Sequence, residues 1–126
     1  MNILCQISLG ELVDKISILR IKKRKIIEQS KLDFVIQEDN VLTATLAKLN
    51  ITDIRHYLDE LIAINSELWE IEDKIRLKER AQKFDDEFIS LARSVYIIND
   101  RRFVAKNKIN RDFGSSLREV KSYEDY

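Results

Sequence analysis

No proline occurs anywhere in the 126 residues, and only two glycines do. A chain almost free of the two residues that punctuate regular backbone is suited to long helices, not to the turn-rich connectivity of a β fold. The apolar spacing agrees. Leu58, Leu61, Ile64, Leu68, Ile71 and Ile75 follow one another at intervals of three and four, which places them on one face of an α-helix. With 44% hydrophobic and 35% charged residues, apolar stripes alternate with charged faces. The expectation is one all-α domain over residues 1–126, an antiparallel helical bundle of about four helices.

Ser8-Leu9-Gly10-Glu11 has the spacing of a capping box, in which Ser8 accepts from an early amide and Glu11 reaches back, with Ile7 placed as a staple. The first helix then carries Leu9, Leu12, Ile16, Leu19 and Ile26, while Val13, Ile18 and Ile21 widen its stripe to a second face. Arg20, Lys22, Lys23, Arg24 and Lys25 crowd its end, where cations suit the negative helix pole. A solvated, dipole-compensating face is expected there, with a phosphate patch as the alternative. Ser30 and Asp33 mark the start of a short second helix with Leu32, Val35, Leu42, Leu46 and Leu49 inward and Asp39 interrupting. Asn50, Thr52 and Asp53 supply the cap of a third, roughly 28 residues and 42 Å long. Asp85 is expected to cap a fourth, with Phe84 packing on Ile89 and with Phe88, Leu91, Val95 and Ile98 inward. That helix extends through Ile109 and stops near Gly114. Helices three and four thus make a long hairpin, and residues 113–126 a tail that packs on the bundle or on a neighbouring subunit.

Lys and Arg together number 22, as do Asp and Glu, so no field of one sign draws in nucleic acid, and none is expected as a partner. No apolar run approaches the ~20 residues that span a bilayer. Cys5, the single cysteine, is read as packing, and the lone His56 cannot build a His/Cys zinc site. No basic and apolar leader precedes Cys5, which points to a cytoplasmic protein. Asn50-Ile51-Thr52 is then an inter-helix turn, not a glycosylated sequon.

On helix three, Asn65, Trp69, Glu72 and Arg76 fall at i, i+4, i+7 and i+11, with Asp73 one position round. On helix four, Tyr96, Asn99, Phe103, Lys106 and Asn110 do the same, with Arg93 and Asp100 along the edge. In an antiparallel hairpin the two stripes can face each other across a cleft lined by both charge signs, amides and aromatics. There the carboxylates would act as base or metal ligands, and the cations would hold an anionic ligand or nucleotide. The competing reading is a buried polar network that fixes register or oligomeric state. No cofactor and no metal are expected. The spacings Glu11-x-x-Asp14, Glu67-x-x-Glu70 and Glu70-x-x-Asp73 leave Glu11, Asp14, Glu70 and Asp73 as the candidates for magnesium, in a pattern that solvated faces also produce by chance. Gly-rich phosphate loops, a nucleophile elbow and a Cys/His pair are absent.

Gly10-Glu11-Leu12, Asp14-Lys15 and Ile18-Leu19, followed by Asn65, Leu68-Trp69, Ile71-Glu72-Asp73, Ile75-Arg76 and Glu79, resemble a family of small bacterial helical proteins of unknown function. Phe88, Leu91-Ala92-Arg93, Val95-Tyr96, Asn99-Asp100-Arg101-Arg102, Lys106, Ile109-Asn110, Gly114-Ser115 and Glu119-Val120-Lys121-Ser122-Tyr123 continue the resemblance over nearly the whole chain, most weakly through helix two. Its members are often found beside glycosyltransferase and surface-polysaccharide genes, and it offers no established catalytic residues. The resemblance therefore implies a cytoplasmic interaction or accessory protein with a glycosyltransferase as the kind of partner. The second apolar face of helix one and the length of helices three and four favour a homo-oligomer. A binding protein or enzyme using the polar cleft, with or without magnesium, is the alternative. Because the resemblance includes Glu119 to Tyr123, the tail is expected to fold back over the cleft or dock on a neighbour.

Overall fold

The computed structural model describes residues 1–126 and holds four helices and no strand: α1 (Leu9–Lys25), α2 (Gln29–Ala47), α3 (Ile54–Arg80) and α4 (Asp86–Asp112). Two of the starts are those the sequence announces. Ser8 accepts the Glu11 amide at 3.1 Å, although the Glu11 carboxylate is drawn away to Lys106, so only half of the capping box closes. Asp85 accepts the Phe88 amide at 3.0 Å. Phe84 stacks edge-on against Phe88 instead of packing on Ile89, which stays exposed.

Two other starts differ from the sequence reading. The second helix is not short: it runs for 19 residues from Gln29, with Ser30 and Asp33 inside it and no side chain capping it. Asp53 precedes α3 in the left-handed conformation, φ 64°, and makes no cap bond. Cys5 is exposed, not packed.

The ends of the two long helices share one device. Gln82, at φ 54°, takes the left-handed position after α3, while the amides of Lys83 and Gln82 reach the carbonyls of Lys78 and Glu79, each at 3.0 Å. Gly114, at φ 70°, does the same after α4, with Ser115 N donating to Asn110 O at 2.8 Å. Both are Schellman closures that satisfy carbonyls left over at a helix end.

Paired side chains give the arrangement. Tyr57 meets Asp112, Glu67 meets Arg101 and Lys78 meets Asp85, so α3 and α4 form an antiparallel hairpin, the most extensive contact in the molecule. Glu11 meets Lys106 and Asp14 meets Arg102, which sets α1 antiparallel to α4 as well. Asp39 meets Arg20 and Lys23, folding α2 back along α1. Helix α1 is the centre, packed against all three others, whereas α2 packs against α1 alone. The widened stripe of α1 is accounted for here: Val13 and Ile21 are both fully buried within the chain.

The core joins Leu12, Val13 and Ile16 to Leu58, Leu61, Ile64 and Ile71 and to Ile98, Ala105 and Ile109. Between Ile71 and Ile98 no residue is fully buried. Helices of 27 residues outrun the 17 of α1, about 40 Å against about 25 Å, and the far part of the hairpin is a two-helix arm. No helix is long and apolar enough to cross a membrane.

Candidate functional site

The densest chemistry lies where α1 crosses α4, and a glycine sets its spacing. A Cβ on Gly10 would overlap the Lys106 carbonyl and come within 2.9 Å of Asn110 Oδ1. With no side chain there the two backbones close up, and Gly10 N–H donates to Asn110 Oδ1 at 2.7 Å. The close approach brings the acidic pair of α1, Glu11 and Asp14, against Lys106 and Arg102 of α4. Spacings of three on one helix and four on the other keep each pair on one face.

Asp14 is completely buried and fully engaged. Arg102 binds both of its oxygens through Nε and Nη2, and Asn65 Nδ2 donates to Asp14 Oδ1 at 2.9 Å and to Ser17 Oγ at 2.7 Å. Hydrogen bonding to Asp14 holds the Arg102 pKa above its ordinary value despite the opposing effect of burial. Lys106 is only 6% exposed. Burial pulls its ammonium pKa down, but Glu11 and Glu119, each at 2.8 Å, outweigh that and raise it. Both cations therefore stay charged inside the seam. Two buried atoms have no partner, Asn107 Oδ1 and Asn110 Nδ2.

Glu119 arrives from the tail. The turn at Gly114 reverses the chain, and residues beyond it run irregularly along α4. Asn107 Nδ2 donates to Glu119 O, Lys121 Nζ to Asn99 O and Asp100 Oδ1, all at 3.3 Å, and Tyr126 OH to Asp100 Oδ2 at 2.6 Å. The Tyr126 hydrogen bond, followed by the one from Lys121, lowers the Asp100 pKa against the effect of burial. Lys121 also stands 5.2 Å from the Phe103 ring centre, and Tyr126 stacks edge-on with Tyr96. Tail and helix line an open cavity of about 420 Å³, with Arg102, Lys106, Lys121, Asp100 and Glu119 among its lining.

The polar residues singled out on α3 and α4 are distributed over three places and do not form one cleft. Asn65 and Asn110 enter the α1 seam, and Asn65 faces Asp14 because α1, not α4, lies over it. Tyr96, Asn99, Asp100 and Lys106 line the cavity under the tail. Glu72, Asp73 and Arg76 belong to the arm, where Arg76 pairs with Glu72 at 3.2 Å and Asp73 is exposed. Arg93 is exposed on the same arm and Trp69 is half-buried near its base.

The magnesium candidates do not converge either. No group of three or more His, Cys, Asp or Glu is arranged to hold a metal ion. Glu11 and Asp14 face cations of α4, and Lys25 draws Glu70 to the end of α1, lowering its pKa. The sequence reading gave no site role to Gly10, Arg102, Glu119 or Lys121, which it named in the family pattern, and did not mention Ser17. The signal that could have found Arg102 was the four-residue spacing of Arg102 and Lys106 set against Glu11-x-x-Asp14.

Comparison with curated proteins and with solved structures returns no match for either. A family profile does match, over residues 3–126, and its extent covers α1 to α4 and the tail that lines the cavity. The chain belongs to the family of unknown function DUF6165.

Proposed function

We propose that the protein is a helical interaction module that self-associates and serves as an accessory subunit in the cytoplasm. One observation carries this reading. The chain exposes 9082 Å², whereas a folded monomer of this size exposes about 7,000 Å². Two copies that covered the excess would remove about 4,000 Å² from water, within the range of obligate homodimers. Part of the excess is the lead-in, the tail and the arm. The rest includes the outer face of α2, where Phe34 and Val41 stand seven residues apart and are 75% and 59% exposed, and Ile27, 95% exposed, in the connection just before the helix. Such a row fits a second copy of the same helix.

Sedimentation equilibrium tests it. The wild-type protein is expected to be dimeric or larger at micromolar concentration. Phe34→Glu should yield a monomer of unchanged helicity, because Phe34 touches no core residue that its loss would unseat. A wild-type protein that stays monomeric as concentration rises defeats the reading. The nature of a further partner follows from the family resemblance, which points to an enzyme of glycan synthesis. Direct binding to a glycosyltransferase from the same cell, weakened in the α2 variant, is the matching measurement.

A further inference from the structure

We propose that the cavity between α4 and the tail is a binding site for a small ring-bearing carboxylate or phosphate, whose charged head takes the place that Glu119 now holds on Lys106. The site is built before any ligand arrives. Arg102 and Lys106 stand four residues apart on α4, and each is held from behind by a carboxylate of α1, Asp14 and Glu11 respectively. That backing fixes the two cations in place, so a ligand does not have to order them. Arg102 spends Nε and Nη2 on Asp14, and its Nη1 makes no hydrogen bond within the protein.

Glu119 is different in kind from Asp14 and Glu11. It comes from irregular chain, and the residues around it bury little: Val120 is 85% exposed and Tyr123 84%. The tail is therefore held by ion pairs and hydrogen bonds more than by apolar burial, and the Glu119 carboxylate on Lys106 is itself 38% exposed, within reach of a competing anion. Once Glu119 gives way, Lys106 keeps only Glu11 and Arg102 Nη1 has no acceptor, so two cationic donors one helical turn apart face the vacated place. Those donors suit an anionic head in the place of the Glu119 carboxylate. At about 420 Å³ the cavity has the size of a small-molecule site, and Phe103 and Tyr96 offer the head's attached ring an aromatic wall.

The test uses the full-length chain, with inorganic phosphate, phenyl phosphate and benzoate as probes, followed by calorimetry and by backbone amide shifts in residues 99–107 and 117–123. Saturable binding of phenyl phosphate or benzoate, with shifts confined to those segments, is expected. Glu119→Gln should tighten it about tenfold, the factor given by a latch closed about nine-tenths of the time. Lys106→Met should abolish binding. Because Lys106 also holds Glu11, its fold is checked by circular dichroism, and the Glu119→Gln comparison decides the matter if it unfolds. No saturable response to any probe at millimolar concentration overturns the site. Equal affinity in wild type and Glu119→Gln overturns the role of Glu119 as occupant. Equal affinity for inorganic phosphate and phenyl phosphate overturns the ring.

Discussion

A third of the 21 buried residues have polar side chains: Ser8, Asp14, Ser17, Asp39, Asn65, Lys106 and Asn110. Apolar surface tolerates many alignments of two helices, but a buried charge tolerates only those that bring its partner. Asp39 shows this on α2. It is 3% exposed and accepts from Arg20, Lys23 and Thr43 at 3.1, 2.7 and 3.1 Å. Burial raises its pKa, yet the three hydrogen bonds together outweigh that and hold it below the ordinary 3.8. The unfolded chain thus binds more protons in the interval between the two values, so this stabilisation is complete above the unfolded pKa and fades as pH falls through the folded one. Asp39→Asn is expected to cost about 1–3 kcal/mol at neutral pH. Urea titrations at descending pH should show the gap between wild type and variant closing below about pH 3.8. A gap that persists there would mean that packing, not charge, sets the cost. In the sequence Asp39 looks like a flaw in an apolar stripe, since its partners lie on another helix.

The helix boundaries closed by a capping side chain or a glycine were legible, and those closed without one were not. Ser8 and Asp85 cap as their spacing announces, and Gly114 ends α4. The end of α3 has no glycine to mark it, because Gln82 accepts the left-handed conformation and donates Nε2 to Glu79 O at 2.8 Å in return. A residue with a Cβ is strained at positive φ, so Gln82→Gly is expected to raise stability by about 0.5–1 kcal/mol, read from the urea midpoint at unchanged slope. No gain would mean that the Glu79 bond already offsets the strain. Helix α2 starts without any capping side chain, and Asp39 ties it to Arg20 and Lys23 of α1, partners that no pattern within α2 records.

For the molecule as a whole, the position of α1 decides how stability is distributed. Helices α1, α3 and α4 share one core, while α2 adheres to α1 only. Local opening should therefore release α2 and the arm first. Hydrogen exchange is expected to show amides of α2 and of residues 72–97 exchanging well before those around Leu61 and Ile109, the best buried positions of α3 and α4. Uniform protection across all four helices would contradict this division, as would slowest exchange in α2. The same geometry separates the candidate residues. An arm that outruns α1 leaves Glu72, Asp73 and Arg76 without a third helix to enclose them, while Lys106 and Asn110, a few turns along α4, are sealed by α1 and the tail.

Local chemistry determined the class of fold, the number of helices, most of their ends and the hairpin, because backbone propensity, apolar period and capping act within a few residues of one another. The sequence by itself also carried the polar residues that matter and their spacing along each helix. Which faces meet was decided only in three dimensions. Asn65 and Lys106 lie on adjacent helices, and both turn toward α1: Asn65 to Asp14, Lys106 to Glu11. The reason is steric and electrostatic at once. Gly10 is the residue that lets α1 close on α4, and the carboxylates beside it are the charges that a buried lysine and a half-buried arginine require.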